Sequence, residues 1–567
     1  MISIHNIRTV ARYEAKTLRR SWLFRLYSFG ALFILTILNI GFFSPVGDEE
    51  WQFLAIPSSL PLFNLYLLNI AQSLIVIFLA SDFLKRDKKL DTNEVLYTRS
   101  ISNLEYITGK SLGIMRLFIG VNILVLIICL IINIISQQVS IDAYAYLEYL
   151  LIISIPTLIF SLGFAYILMS IIRNQAITFL LLLGFAALNM FYLFNRMNSF
   201  FDYMLFGFPV FKSTMTGFAN IDIILVHRIM YTSLGMAFIF ISTLIFKRLP
   251  QSKLHRAISF ISLFVFLLLT AWSAHYFLDD YYETRNLKNQ ILETNNRYEN
   301  SDFLTVTDAD IEIEYVNRKI NAIAELECLN NNNRAVSEIP FSLNPGLAIK
   351  EIQVNGSSVS FSSDGHIIVV NLESNLQPDS LLQIRFTYHG SIKEAFCYPW
   401  YNKDIKKDPF TVGPLRIDKK QVIQKNDFLL LTPETHWYPV AGLNIYPDNP
   451  AKILIDFTKY TLKVKRHNEL VAISQGKRTS DENFWYFENE NPLTGISLIE
   501  GHYISDTIRA DSIDFIAHYY RGHDYFRDDL NELGDTVVNL ISGIMTELET
   551  NFSTEYPYER LSLVEVP

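Results

Sequence analysis

The stretch LFIGVNILVLIICLIINII, residues 117–135, carries no charged side chain along its whole length. A helix needs about 20 apolar residues to cross the hydrocarbon core of a bilayer, so this stretch predicts a membrane-spanning helix. Six further runs of similar length and composition occur in the first half of the chain, at 26–43, 60–83, 147–172, 176–194, 230–246 and 257–277. We therefore predict a helical membrane domain of about seven spans over residues 1–278.

The charge of the chain is divided unevenly between its halves. Residues 1–278 contain 21 Lys and Arg against 13 Asp and Glu, a net of +8, whereas residues 279–567 contain 27 against 44, a net of −17. The two values add to the net charge of −9 for the whole chain. A strongly acidic second half argues against nucleic acid as a partner, because binding phosphates requires positive charge.

The connections between the apolar runs predict the orientation. Basic residues are concentrated in the N-terminal tail, in the segment 85–110, at Arg173 and in the segment 247–256, while the connections 44–59 and 136–146 contain none. The positive-inside rule then places the N-terminus in the cytoplasm, and seven spans place residues 279–567 outside. The aromatic connection 195–228 is less regular, and it either dips into the interface or adds a short re-entrant piece.

A few polar side chains interrupt the apolar runs: Asn39, Asn69, Gln72, Asn122, Asn133 and Asn189. Such groups either hold helices together or line a substrate path, and we favour the first role. No acidic residue lies in the middle of a predicted span, which argues against a proton relay or a sodium site.

The cytoplasmic segment 81–113 reads SDFLKRDKKLDTNEVLYTRSISNLEYITGKSLG. Its Gly109-Lys110-Ser111 matches the end of a phosphate-binding loop, but that loop needs a glycine at position 104, where this chain has Leu104. No nucleotide site is predicted here, so ATP chemistry would have to come from another chain.

The order of features over residues 1–250 resembles the permeases of type-2 ABC exporters. These features are a basic amphipathic N-terminal segment, two spans, FLKRD at the end of the second, and GKSLG leading into the third. The resemblance implies that the N-terminal segment lies along the inner membrane face and that the following loop docks on a separate ATPase subunit. It places at that contact Arg86, Asp87, Thr92, Glu94, Tyr97 and Lys110. The alternative is an ordinary charged loop.

From Asp310 onward the pattern changes to a period of two, which predicts β-strands. Ile311, Ile313 and Tyr315 alternate with acidic residues, Asn355-Gly356 predicts a tight hairpin, and Asp364-Gly365 predicts the next turn. Further strands are predicted at 382–388, 453–457 and 484–487. We expect a polar stalk at 279–304, then a mainly antiparallel β domain at 305–520.

The last 47 residues, 521–567, change pattern again. Apolar residues at three- and four-residue spacing predict one helix between positions 528 and 550, and Leu561, Leu563 and Val566 predict a strand. Of the three cysteines, Cys129 is expected to pack as a small apolar side chain, while Cys328 and Cys397 could pair in an oxidising compartment.

A second resemblance covers residues 305–567. The stretches IPFSLNPGLAIKEIQVNG (339–356), HWYP (436–439), NPLTGISLIEGHY (491–503) and YPYERLSLVEVP (556–567) resemble the zinc aminopeptidases of the aminopeptidase N family, in the family's order. The resemblance implies a β-saddle domain followed by the start of an α/β catalytic domain.

That family's chemistry needs H-E-x-x-H on a helix, because two His side chains four residues apart coordinate one zinc ion while the Glu activates a water molecule. None of the eleven histidines begins this motif, and the family's catalytic elements would follow residue 567. We therefore predict no catalytic residue, no zinc and no peptidase activity for this polypeptide. Zinc is expected only if a catalytic half follows. Glu434 and His436 are candidates for a substrate-side loop, although a solvated carboxylate and a packed imidazole are favoured.

The sequence thus predicts a permease subunit of an ABC-2-type exporter, driven by a separate ATPase and assembled as a homodimer or heterodimer in the bilayer. Its expected location is a bacterial inner membrane. The two alternatives are a membrane-anchored zinc aminopeptidase, of which this chain would be an N-terminal fragment, and a non-catalytic binding domain on a membrane anchor.

Overall fold

The computed structural model describes residues 3–42, 56–81, 101–136, 140–194, 196–246, 253–399, 420–446, 456–467, 469–510, 513–523 and 535–567. The chain forms two compact units, the first ending at Glu283 and the second beginning at Thr284. The first unit is helical and the second is rich in β-strands, as the change of pattern in the sequence predicts.

Seven helices of the described residues are long and apolar enough to cross a membrane, and each coincides with one predicted run. Their bounds are Trp22–Gly41, Ser59–Ala80, Asn103–Ile135, Ala143–Ile172, Gln175–Leu193, Ile221–Ile245 and Lys253–Tyr298. The sixth begins nine residues before the predicted start at Met230, and the seventh continues as helix through most of the predicted stalk.

We label the α-helices in chain order as α1 (Ile4–Arg20), α2 (Trp22–Phe42), α3 (Ser59–Ser81), α4 (Asn103–Ser136), α5 (Ala143–Tyr149), α6 (Ile155–Ile172), α7 (Gln175–Leu188), α8 (Ile221–Ile245), α9 (Lys253–Tyr298) and α10 (Asp535–Phe552). The amphipathic helix α1 precedes the first apolar helix. The Ser3 hydroxyl caps it by accepting the Asn6 N–H at 3.3 Å, and Arg19 and Arg20 lie in its last turn. Both features stabilise an isolated helix end.

The fourth apolar segment is a composite of α5, a π turn at Leu150–Ser154 and α6. Pro156 lies two residues after the end of the π turn and has no N–H to donate, so the carbonyl of Ile152, four residues earlier, loses its usual partner. A second π turn, Asn189–Leu193, ends the segment that begins with α7. The helix ladder is therefore interrupted at two places inside the apolar segments.

Residues 196–218 connect the second π turn to α8, and we call them the connecting segment. They form no helix but contain a two-residue hairpin, β1 (Lys212–Ser213) with β2 (Gly217–Phe218). Tyr203, Met204 and Leu205 in this segment are fully buried. The connecting segment is therefore irregular in backbone and buried at these three residues, while the dip into the interface and the re-entrant piece both stay predictions.

The strands of the second unit are β3 (Thr305–Val316), β4 (Lys319–Leu329), β5 (Val336–Ser342), β6 (Leu347–Val354), β7 (Ser357–Ser358), β8 (Phe361–Asp364), β9 (Ile367–Leu376), β10 (Leu381–Gly390), β11 (Val422–Gln424), β12 (Leu429–Leu431), β13 (Lys459–Lys465), β14 (Val471–Ile473), β15 (Lys477–Ser480), β16 (Phe484–Glu488), β17 (Leu498–Gly501), β18 (Tyr503–Ala510), β19 (Ile513–Tyr520) and β20 (Arg560–Val564). The largest sheet has the order β15-β16-β13-β3-β4-β10-β6-β7, and smaller sheets have the orders β11-β12-β17-β14, β18-β19-β20 and β5-β9-β8.

Most predicted strands and turns of this unit are confirmed. Asn355 and Gly356 both have positive φ and join β6 to β7, and Gly365, also at positive φ, joins β8 to β9. Of the strand predicted at 453–457, positions 453–455 lie outside the described residues and positions 456–457 form no strand; the next described strand is Lys459–Lys465.

The last described elements are α10 and β20, which agree in kind with the predicted helix and strand. β20 pairs in parallel with β19. The three cysteines are free thiols: Cys129 and Cys328 are buried and Cys397 is partly exposed.

Candidate functional site

The first candidate site is the junction between α1 and the start of α4. A Cβ atom added to Gly109 would lie 2.7 Å from the Val10 Cβ, and one added to Gly113 would lie 2.7 Å from the Ala11 carbonyl oxygen. No real Cβ fits at such distances, so the two glycines of GKSLG allow α1 to pack directly on the α4 backbone. The stretch that suggested a nucleotide loop is thus a helix-packing surface.

Charged side chains reinforce this junction. Lys110 Nζ lies 3.6 Å from Glu14 Oε2, and both side chains are only 3% exposed. Glu105 accepts the Ser3 N–H at 2.6 Å and the Ser102 N–H at 2.8 Å. Separating one partner from a buried ion pair costs about 3–5 kcal/mol, because the other charge is left without compensation. The junction is therefore a firm connection between α1 and α4.

Lys110 is accordingly buried against α1. The other residues predicted to contact an ATPase, Arg86, Asp87, Thr92, Glu94 and Tyr97, lie outside the described residues. The docking role of this set stays a prediction.

The second candidate site surrounds Arg228, which is 3% exposed inside α8. Its Nε donates to the Ile152 carbonyl at 2.7 Å, the carbonyl that Pro156 leaves without its helical donor. Its Nη1 donates to the Tyr203 carbonyl at 3.0 Å, and its Nη2 donates to Thr157 Oγ1 at 2.9 Å. One guanidinium thus joins α8 to the π turn, to α6 and to the connecting segment.

Asp202 lies in the same region and is fully buried. Its two carboxylate oxygens accept the N–H groups of Phe206 at 2.9 Å and Gly207 at 2.7 Å. The carboxylate therefore folds the connecting segment back on itself. Its negative charge compensates part of the buried charge of Arg228.

A chain of buried amides and hydroxyls continues from Thr157 across three helices. Asn69 donates to Thr157 Oγ1 at 3.3 Å, Gln72 donates to Asn69 Oδ1 at 2.9 Å, and Asn122 donates to Gln72 Oε1 at 2.7 Å. Ser154 in the π turn donates to Asn122 Oδ1 at 2.7 Å, which closes the chain. These polar groups bond to one another between helices, which supports the favoured role of holding the helices together.

The sequence reasoning included Asn69, Gln72 and Asn122 but missed Arg228 and Asp202. It placed Arg228 at the end of the connection 195–228, just before the apolar run that was predicted to begin at Met230. Pro156 was the available signal, since a proline inside an apolar run frees a carbonyl that needs a donor from elsewhere.

The candidates in the second unit are Glu434 and His436, which lie in the short turn after β12. Glu434 is exposed and His436 is buried. His436 Nδ1 lies 2.8 Å from Ser342 Oγ, and burial, with a smaller effect from nearby His366, lowers the pKa of His436 to about 3. The imidazole is therefore neutral at physiological pH, and this placement corresponds to a packed side chain and a solvated carboxylate.

No group of three or more His, Cys, Asp or Glu side chains within the described ranges is placed to hold a metal ion. Glu500 is a further buried group that the sequence reasoning did not single out. It is 2% exposed in β17, and its Oε2 has no hydrogen-bond partner among the described residues. Burial raises its pKa to about 8.

Comparisons with known proteins return partial structural similarities. No protein-family model matches the chain, and no curated protein matches it. The M1 zinc metallopeptidase of Deinococcus radiodurans is similar to 47% of this chain with a TM-score of 0.34 and 15% sequence identity. A mutant of that enzyme bound to a Tyr-Ser-Ala substrate gives a TM-score of 0.33 at the same identity. In both cases the match covers 57% of the length of the solved structure.

Proposed function

We propose that the chain is the permease subunit of an ABC-2-type exporter, driven by a separate ATPase and working as a homodimer or heterodimer. The observation that carries this proposal is the junction of α1 with α4. An amphipathic basic helix ahead of the first span is held by Gly109, Gly113 and the buried Glu14–Lys110 pair. The sequence resemblance to such permeases rests on the same stretch.

The junction provides a route for force. Residues 82–100 connect α3 to α4 in the sequence, so a force that an ATPase exerts on this segment would reach the first turns of α4. Because α1 is attached there through a buried ion pair, α1 and α4 would move together. A helix of 34 residues would carry that movement towards its far end.

The proposed orientation places α1 and the segment 81–113 in the cytoplasm of a bacterial cell and residues 279–567 outside the inner membrane. The charge of the connections supports it. In a background without native cysteines, Ser358→Cys is expected to react with an impermeant maleimide in spheroplasts, and Arg19→Cys only after lysis. The reverse pattern would overturn the orientation.

Co-purification tests the permease role. We expect the chain, extracted from its native membrane in a mild detergent, to retain an ATPase subunit detectable by mass spectrometry. Gly113→Leu should separate α1 from α4 and reduce the retained ATPase, while Gly120→Leu on the same helix is the control, since a side chain there meets no atom within 4 Å. The proposal should be abandoned if no ATPase is retained and removal of residues 85–110 changes nothing.

For the second unit we propose a binding role in this polypeptide, and the absence of H-E-x-x-H from the sequence supports it. The alternative is a membrane-anchored zinc aminopeptidase completed by further chain, in which case zinc would be held by that further part. Hydrolysis of an aminoacyl fluorogenic substrate by residues 1–567, abolished by a chelator, would favour the alternative.

A further inference from the structure

The edge of the large sheet in the second unit, where β15 pairs with β16, brings two guanidinium groups against an indole. The register sets Arg478 opposite Phe487 and Ser480 opposite Trp485. Residues directly opposite in an antiparallel pair project on the same face, so Arg478, Ser480 and Trp485 share one face of this edge.

Trp485 is the central side chain of this sheet edge. The guanidinium carbons of Arg466 and Arg478 lie 4.4 Å and 5.2 Å from its ring centroid. Its Nε1 is buried and has no hydrogen-bond acceptor among the described residues. A buried indole N–H usually finds an acceptor, so this one marks a place where an acceptor is missing.

Two further basic side chains, His518 and Arg560, lie on the sheet β18-β19-β20. The register places His518 opposite Ser505 on β18 and Val564 on β20, with Arg560 on the same face of β20. The positive charge of Arg478 contributes, after burial, to lowering the pKa of His518, and Arg560 acts in the same way on the pKa of Arg478. Arg478 and Arg560 therefore lie close enough for their charges to repel one another.

Carboxylates do not neutralise this group. Asp514 is beside Arg560 in the register, but its Oδ1 accepts from Arg509 at 2.5 Å. Within the described part of the chain, Arg478 and Arg560 have no carboxylate within ion-pair distance, and Arg466 donates to the Asp481 carbonyl at 2.5 Å. This uncompensated charge lies in the half of the sequence whose net charge is −17, which makes it a local exception.

We propose that the arginines around Trp485 bind an oxyanion group, a carboxylate or a phosphate, carried by a ligand. Arg478 and Arg560 would donate paired N–H groups to it, because the guanidinium fork matches the geometry of both anions. Trp485 Nε1 would donate a further hydrogen bond. Ligand binding would bring the negative charge that the described carboxylates do not provide. This site is independent of the permease proposal.

Titration calorimetry on the full chain in neutral-lipid nanodiscs tests the site, with inorganic phosphate and acetate as probes at constant ionic strength. We expect at least one of them to bind, and Arg478→Gln to weaken that binding about tenfold, the effect of losing a charge-assisted hydrogen bond. Phosphate alone would identify a phosphate-bearing ligand and acetate alone a carboxylate-bearing one.

Lys463→Gln is the matched control. Lys463 also lies over an aromatic ring, 4.0 Å from the Phe484 centroid, but it is paired with Glu312 at 2.8 Å on the outer face. This variant should bind the anion as the wild type does. Arg560→Gln provides a second test if Arg478→Gln does not fold. The proposal is wrong if neither anion binds, or if the arginine variants and Lys463→Gln bind equally well.

Discussion

Glu500 allows a quantitative test of how the second unit tolerates a buried acid. The register sets it opposite Leu429 on β12 and Ala472 on β14, both fully buried, so its carboxyl group shares their apolar face. Burial raises its pKa from 4.5 to about 8. The folded protein therefore keeps this carboxyl protonated at neutral pH, while the unfolded chain releases the proton above pH 4.5.

The sign and size of the effect follow from proton linkage. Between pH 4.5 and about 8 the folded state binds one more proton than the unfolded state, so stability decreases as the pH rises through this window. Each pH unit costs about 1.4 kcal/mol, and the loss between pH 5 and pH 7 is about 2.7 kcal/mol. Below pH 4.5 this contribution is constant.

Glu500→Gln removes the titration while keeping the shape of the side chain. We expect its free energy of unfolding, relative to the wild type, to rise by about 1.4 kcal/mol for each pH unit between pH 5 and pH 7. The amide's own burial cost shifts the whole curve but not its slope. Glu490→Gln is the control, because Glu490 is exposed on the same chain segment.

Cys328 provides the assay, since it is completely buried in β4 of the same unit. The full chain in detergent is equilibrated in urea at each pH, brought to a common pH and briefly exposed to a thiol reagent. Mass spectrometry of the Cys328 peptide then gives the unfolded fraction. Parallel curves for the wild type and Glu500→Gln would refute the reasoning.

Two further substitutions test the helical unit by thermal denaturation in detergent. Arg228→Gln leaves the carbonyls around the π turn without donors and should lower the free energy of unfolding by about 3 kcal/mol or more. Arg196→Gln is the control and should have little effect. Equal losses of stability in the two variants would contradict the assigned role of Arg228. Gly163→Leu should prevent the close packing of α6 on α8 at Gly235 and markedly lower the midpoint temperature of unfolding. Gly184→Leu is the control, because the space at its Cβ position is open. An unchanged midpoint for Gly163→Leu would show that the helices do not meet there.

The apolar helices could be predicted because bilayer thickness fixes their length. Each of the seven predicted apolar runs corresponds to one of the seven long apolar helices among the described residues. The hairpin at Asn355-Gly356 followed equally directly from local turn chemistry. Both features depend on neighbouring residues alone. This is why single-sequence reasoning reached them.

Features that depend on distant contacts were not predicted. The early start of α8 was missed because the partners of Arg228 lie 71 to 76 positions away in the sequence on α6 and the π turn. The resemblance to exporter permeases placed Lys110 at an ATPase contact, and its burial beside Glu14 on a separate helix was not predicted. The arginines around Trp485 lie on strand pairs that no local sequence pattern connects.

The bond between Arg228 and the π turn has a consequence for how the protein is made. Pro156 leaves the ribosome about 70 residues before Arg228, so a fourth segment that enters a membrane during synthesis would do so with an exposed carbonyl whose partner has not yet been made. We expect chains ending before residue 221 to be removed by membrane proteases faster than chains ending after residue 246. Completion of the helical unit thus depends on the sixth segment arriving in time, and biogenesis rather than final stability would be the first process to fail when Arg228 is lost.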